Sequence, residues 1–332
     1  MPELNSQLPN RRFCVAPMLD WTDRHCRFFL RLVSQHVVLY TEMLTTGAIL
    51  HGDTERFLAM NAEEHPVALQ LGGSNPGDLA AACKLAEQYA YAEINLNCGC
   101  PSDRVQSGMF GAVMMKNAAI TADCVAAMRG AVDLPVTVKH RIGVDDYDSY
   151  DFLCQFVGTL SDAGCSTFVV HARKAWLKGL SPKQNREVPE LNYDRVYQLK
   201  RDFPDAEIII NGGITTLEQS IKHLNHLDGV MMGREAYTNP YILATVDQDI
   251  YGASHPVKSR EKIAEQFLDY IDNEMSKGTK LHAMTRHILG LFHGMPGARL
   301  FRRHISENAY KSTATIDVLT TALKATSGAM NK

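Results

Sequence analysis

Short apolar runs rich in β-branched residues recur along the first 235 residues: Phe13–Ala16, Val37–Tyr40, Val67–Leu71, Ile94–Leu96, Val136–Val138, Phe168–Val170, Ile208–Ile210 and Val230–Met232. Such runs, bounded by Gly, Pro, Asn and charged residues, read as strands buried on both faces, the condition found in parallel sheets. Between them lie helix-like stretches, among them the Ala-rich Leu79–Ala90, then Thr121–Val132 and Ser149–Ala163. Start signals precede several: Asn75-Pro76, Thr121, and Thr215 or Thr216. Strands alternating with helices predict parallel βαβ units, and eight such units predict a (β/α)₈ TIM barrel. A doubly wound sheet is the alternative, although it would use fewer strands for this length.

The pattern changes near residue 257. Ser259–Met275, Lys280–Leu291, Leu300–Lys311 and Ile316–Ser327 read as helices with no strand between them, punctuated by Gly278, Gly290, Gly294 and Pro296-Gly297. The expected organisation is a barrel over residues 1–252 and a small all-helical domain over residues 253–332.

Composition refines this picture in three ways. With 45% hydrophobic and 21% charged residues among 332, the chain is ordinary globular material, which excludes disorder and collagen-like repeats. It shows no run of ~18 apolar residues and no charged segment leading into an apolar one at its start, so neither a membrane span nor a secretory signal is expected. The eight cysteines then read as reduced cytoplasmic thiols rather than disulfides. Charge is uneven: the formal net charge is −3, yet residues 280–311 hold Lys280, Arg286, Arg299, Arg302, Arg303 and Lys311 against Glu307 alone. That window is +5, so the rest of the chain is −8. A local basic patch on an acidic body suits a polyanionic partner, while the acids Asp145, Asp146, Asp148 and Asp151 would repel a misplaced one.

In a barrel of this kind the chemistry sits at the C-terminal ends of the strands. The residues just past the apolar runs are Pro17-Met18-Leu19-Asp20, Glu42, Gln70 with Gly72-Gly73, Asn97-Cys98-Gly99-Cys100-Pro101, Lys139-His140-Arg141, His171-Ala172-Arg173, Asn211-Gly212-Gly213 and Gly233-Arg234. Glycine turns after the last two strands expose backbone N–H groups to a phosphate, and Arg234 adds charge. Lys139 can meet an anionic ring locus or form a Schiff base. His171 can donate to a ring carbonyl, and Gln70 suits a heterocycle edge. Together these make the arrangement of a flavin mononucleotide barrel; the absence of a GxGxxG motif argues against a tightly held dinucleotide. Cys100, between a glycine and a proline, can serve as proton donor or nucleophile, and Asn97 can pair with the edge of a uracil. No second cysteine pair matches Cys98 and Cys100, so no metal site is expected there.

These motifs, in this order, resemble the tRNA-dihydrouridine synthases, over about residues 11–311. Pro17–Asp23, Thr41-Glu42-Met43, Gln70–Gly73, Asn97–Ser102, Val138-Lys139, His171-Ala172-Arg173, Asn211-Gly212-Gly213 and Gly233-Arg234 carry the likeness. Arg104–Ala112, His171–Leu177, Ser181–Arg186 and Gly294–Arg299 resemble the A subfamily in particular. Departures fall at Cys98, which adds a second thiol, and at His140 and Met295. The resemblance implies an FMN-dependent, NADPH-driven reduction of D-loop uridines 20 and 20a. It implies that Pro17, Met18, Leu19, Gln70, Lys139, His171, Asn211, Gly212, Gly213, Gly233 and Arg234 bind FMN. It implies Cys100 as proton donor, Asn97 as a contact to the base and the helical domain as the tRNA-binding part.

The chemistry asks for hydride addition at C6 of a flipped-out uracil and a proton at C5, which Cys100 can supply. Arg299, Arg302 and Arg303, with Lys183 and Arg186, are the candidate tRNA contacts. A monomer is expected. Competing readings are a flavin barrel acting on free pyrimidines, a Schiff-base lyase using Lys139, and an RNA-binding module without catalysis.

Overall fold

The computed structural model describes residues 8–102 and 108–330, so the Arg104–Ser107 part of the subfamily stretch lies outside the described residues. The chain divides into two compact units, Met1–Leu19 with Val38–Gly233 and Asp20–Val37 with Arg234–Lys332.

In the first unit eight parallel strands pair in sequential order and close on themselves. They are β1 (Phe13–Val15), β2 (Val38–Thr45), β3 (Val67–Gly72), β4 (Glu93–Cys98), β5 (Val136–Arg141), β6 (Thr167–His171), β7 (Glu207–Asn211) and β8 (Gly229–Met232), with β8 hydrogen-bonded back to β1. The TIM barrel expected from the sequence is thus the fold, and closure excludes the doubly wound sheet, which keeps two open edges.

Helices Pro76–Ala86, Ala118–Ala131, Tyr150–Asp162, Tyr193–Asp202 and Leu217–Leu224 come after β3 to β7. Each starts at a side-chain cap (Asn75, Asn117, Ser149, Asn192 and Thr216) that accepts an otherwise orphaned backbone N–H. Thr121 is not the start of its helix. It lies one turn inside, and its buried hydroxyl donates to the carbonyls of Met114 and Asn117, both at 3.0 Å.

The period-two geometry of strands decides which side chains enter the barrel. Cys14, Ala16, Val38, Tyr40, Ala68, Val169, Ile209 and Met231 form its buried interior cluster. Continuing in steps of two along each strand, Gln70, Lys139, His171 and Asn211 also point inward, nearer the C-terminal ends. On β4 the inward set is Glu93, Asn95 and Asn97. At the opposite end of the barrel Arg11 pairs with Glu93 at 2.5 Å and Glu207 at 2.8 Å.

The second unit is helical among the described residues. Helix Arg24–Val33, capped by Asp23, shares it with Arg234–Thr238, Val246–Asp249, Arg260–Ser276, Leu281–Thr285, Ala298–Asn308 and Asp317–Met330. Aromatic pairs build its core: Phe29 against Phe267 at 5.1 Å, Phe28 stacked on Tyr270 at 3.9 Å and Phe292 edge-on to Phe301 at 4.9 Å. The expected helix Lys280–Leu291 is a single helix only at Leu281–Thr285, with turns beyond it. Gly290 is the reason in part: a Cβ there would lie 2.4 Å from the carbonyl oxygen of Thr238, and Gly294 and Gly297 adopt φ of +77° and +82°. No helix of the described residues is long and apolar enough to cross a membrane.

Candidate active site

A chain of buried hydrogen bonds runs along the barrel interior and ends at the loop bearing Cys100. Glu93 accepts from the Tyr40 hydroxyl at 2.7 Å and from the Thr137 hydroxyl at 2.9 Å. Thr137 Oγ1 accepts from Asn95 Nδ2, Asn95 Oδ1 from Gln70 Nε2, and Gln70 Oε1 from Asn97 Nδ2, each at 2.8 Å. Asn97 Oδ1 then accepts the backbone N–H of Gly99 at 3.1 Å and of Cys100 at 3.0 Å. A carboxylate only accepts, so every amide above it has its orientation imposed from below. Among the described residues, one N–H of Asn97 remains for a ligand.

Two further bonds pin the loop. Arg141 Nε donates to the Gly99 carbonyl at 2.9 Å, and Ala112 N donates to the Cys100 carbonyl at 2.9 Å. Cys100 itself is half-buried, with its thiol 3.5 Å from the Ser102 hydroxyl. Reading residues at strand ends alone missed Glu93 and Thr137, and gave Arg141 no role. For Glu93 the marker was in the sequence all the same: Glu93, Asn95 and Asn97 alternate with Ile94, Leu96 and Cys98, polar on one strand face and apolar on the other.

That alternation also corrects the reading of Cys98 and places His140. Both face outward into the layer between strands and helices. Cys98 is fully buried and its thiol is pushed well above the ordinary range by burial, so it adds no reactive thiol to the site. His140 packs against Phe156 and Phe168, and burial lowers its pKa to about 4.

The barrel mouth is cationic. Lys139 Nζ donates to Asn211 Oδ1 at 3.1 Å, and Asn211 Nδ2 donates to the Met231 carbonyl at 2.8 Å, which fixes the amide. Burial, with Arg141 adding repulsion, lowers the Lys139 pKa to about 7. His171 is held well below its usual range by burial and then by Arg141, Lys139, Arg173 and Arg186. None of the groups shifting either residue is a carboxylate. Among the described residues the charged side chains acting on this pair include Arg141, Arg173 and Arg186, which favours an electronegative ligand.

Beside these groups the backbone of Gly212 and Gly213 is left-handed, with φ of +115° and +69°. A Cβ on Gly212 would lie 2.7 Å from His171 Cδ2, and one on Gly213 2.5 Å from Leu191 Cδ1. Gly233 faces open space. Backbone amides at such turns, at a mouth that carries Lys139 and Arg141, fit a phosphate. Pro17 and Met18 are half-buried and Leu19 is exposed just past β1.

The basic candidates lie on the surface. Lys183 and Arg186 are exposed on the segment after β6, which Asn185 organises: its Oδ1 accepts from Trp176 N at 2.8 Å and its Nδ2 donates to Trp176 O at 2.9 Å. In the second unit Arg234 is exposed at a helix start. Arg299, Arg302 and Arg303 share the exposed face of helix Ala298–Asn308, opposite Phe301 and Ile305. Two of the acids read as repulsive are engaged instead, Asp145 with Lys116 and Asp148 with Lys174, both at 2.8 Å.

Closed parallel barrel, charged mouth and thiol-bearing loop define an enzyme of the (β/α)₈ class, with its chemistry at the C-terminal ends of the strands. The family described as dihydrouridine synthase (Dus) matches residues 14–327. The chain belongs to this family of oxidoreductases, as its motifs led us to expect. A Vibrio cholerae protein named tRNA-dihydrouridine(20/20a) synthase is 62% identical over 313 residues, covering 94% of this chain and 95% of that one. An Escherichia coli K12 protein of the same name is 61% identical over 325 residues, covering 98% and 94%. In three dimensions an old yellow enzyme homologue from Zymomonas mobilis shares the fold, with TM-score 0.52, 11% identity, and coverage of 76% of this chain and 92% of that one.

Proposed function

We propose that the protein reduces uridines 20 and 20a in the tRNA D-loop to 5,6-dihydrouridine, using FMN as cofactor and NADPH as reductant. The observation that carries this reading is the buried pair Lys139 and His171 beside the glycine turn Gly212-Gly213, with the Cys100 thiol held on the loop at the end of β4. When bound, the flavin supplies the hydride that adds at C6 of the uracil. Lys139, His171 and Gln70 hold the isoalloxazine and ribityl, and Pro17, Met18 and Leu19 line one side. Asn211, Gly212, Gly213, Gly233 and Arg234 bind the phosphate.

Hydride addition leaves enolate character toward C5, which needs a proton. Cys100 Sγ holds that proton and delivers it. Asn97, its carbonyl oxygen already committed to two backbone amides, uses its remaining N–H toward a uracil carbonyl. Orientation of this amide from below by Glu93 fixes donor rather than acceptor toward the base. The target base is flipped from the tRNA into the site. Lys183, Arg186, Arg299, Arg302 and Arg303 neutralise backbone phosphates, the last three on the helical domain that binds tRNA, residues 253–332. The enzyme acts as a monomer in the cytoplasm.

The test is direct. Flavin-loaded protein is incubated with NADPH and unmodified tRNA, and the digested RNA is searched by mass spectrometry for uridines that gain two hydrogens. Gain at position 20 or 20a is the expected result. A yellow protein that oxidises NADPH yet leaves the D-loop unchanged would overturn the tRNA assignment in favour of a free pyrimidine.

A further inference from the structure

Within the second unit, three side chains from separate places in the sequence converge. His36 lies just past helix Arg24–Val33, Asp247 lies in helix Val246–Asp249, and His255 lies beyond that helix. Asp247 Oδ2 lies 3.5 Å from His36 Nδ1 and 3.3 Å from His255 Nε2, and all three ligand atoms fall within 4.8 Å of one another. Donor atoms around a tetrahedral zinc, bound at about 2.0–2.1 Å, are separated by about 3.3–3.4 Å. The two distances to the carboxylate match such an edge. We propose that His36, Asp247 and His255 form a binding site for a divalent transition-metal ion of the zinc class.

Three observations favour a shared ion over simple histidine–aspartate pairing. First, His255 Nε2 is buried and makes no hydrogen bond, although Asp247 Oδ2 is only 3.3 Å away. Its ring nitrogen therefore does not aim at the oxygen, as it would in an ion pair; both atoms can address a common third point. Second, the carboxylate is already oriented. Asp247 Oδ2 accepts Gln35 N at 2.7 Å, while Oδ1 accepts His36 N at 3.3 Å and the Ser34 hydroxyl. Such outer hydrogen bonds hold a metal-binding carboxylate in place. Third, the imidazoles of His36 and His255 lie face to face, 5.9 Å apart and 9° from parallel, which presents one nitrogen of each on the same side as Asp247.

Asp247 is 1% exposed, whereas His36 is 44% and His255 36% exposed. The anionic ligand is thus buried and rigid, and the two imidazoles leave a path for the ion and for water in its remaining positions. Two nitrogens and one oxygen suit zinc, cobalt or nickel better than calcium or magnesium, which prefer oxygen throughout. The bound ion would tie the turn after helix Arg24–Val33 to the segment 247–255.

Chelator-stripped holoenzyme is titrated with Zn(II) against a chromophoric chelator, and with Co(II) monitored through its visible d–d bands. The wild type should take up one equivalent per chain at this site and gain thermal stability with Zn(II). His255→Gln should weaken Zn(II) binding at least as much as loss of an orienting partner does, ~10–100-fold. His36→Gln with His255→Gln should abolish the equivalent and the stability gain, while leaving uridine reduction intact. Failure of the wild type to bind Zn(II), or equal uptake and stabilisation in wild type and double variant, would overturn the site. Should the double variant not fold, the single His255→Gln change, at a half-exposed position, carries the same comparison.

Discussion

Flavin binding should weaken as pH rises above neutral, because of Lys139. Burial at the barrel mouth, with Arg141 as a second unfavourable influence, brings its pKa from 10.5 to about 7 in the ligand-free protein. Between those two values the folded chain has released the proton and the unfolded chain still holds it. Native stability therefore rises with pH through that window, and below about pH 7 the cost of burying the charge is fully present. A flavin ring acceptor hydrogen-bonded to Nζ reverses the balance: it favours the charged ammonium and raises the bound-state pKa, so complex formation takes up a proton above pH 7. Each pH unit then costs about 1.4 kcal/mol, a tenfold loss of affinity, until the bound-state pKa is reached. The phosphate adds little slope there, since its second pKa is about 6. Quenching of free FMN fluorescence by apoprotein, measured from pH 7 to 9, reads the slope. Lys139→Met should bind FMN more weakly at pH 7 and lose the pH dependence. A flat wild-type profile would refute the argument that an uncompensated, desolvated Lys139 meets the flavin.

Four other outcomes are expected from the same geometry. Cys100→Ala should fold and retain flavin but lose ~10²–10⁴-fold in single-turnover uridine reduction, the ordinary worth of a general acid; wild-type rates in that variant would remove Cys100 from proton transfer. Gly212→Ala places a side chain at a φ of +115° and 2.7 Å from His171, so it should cost ~1–3 kcal/mol in denaturant unfolding and lower the flavin content. Thr137→Val strips the Asn95 amide of its acceptor, which should cost ~1–3 kcal/mol and slow uridine reduction, while Thr137→Ser should restore both; no difference between Val and Ser would show that the ladder does not position the loop. Arg299→Ala with Arg302→Ala should weaken tRNA binding and flatten its salt dependence by roughly 0.7–0.9 in log–log slope for each phosphate no longer neutralised, without changing NADPH oxidation in the absence of tRNA.

Most of the candidate site is legible from the ends of the strands. Runs of three to five apolar residues mark strands well, since a parallel strand is buried on both sides. The residues immediately beyond each run are then the natural place to look for chemistry. The helix boundaries are less legible. Asn117, not Thr121, starts its helix, because the residue that can turn its side chain back onto a free N–H wins. Lys280–Leu291 is cut short where Gly290 meets the backbone of a segment some fifty residues earlier, a close approach that local periodicity does not encode.

The sequence by itself determined the class of the fold, the family and the cluster of polar residues at the strand ends, because these depend on periodicity and on short motifs. Only the tertiary structure decided how those residues act on one another. It turned Glu93, Thr137, Asn95, Gln70 and Asn97, spread over three strands, into one directional ladder. It faced Cys98 into the helix layer while leaving Cys100 on the loop, and engaged Asp145 and Asp148 with lysines. It also brought His36 to Asp247 and His255, separated by more than two hundred residues. Such encounters depend on strand register, barrel closure and loop packing, which are properties of the whole chain and cannot be read from any one segment of it.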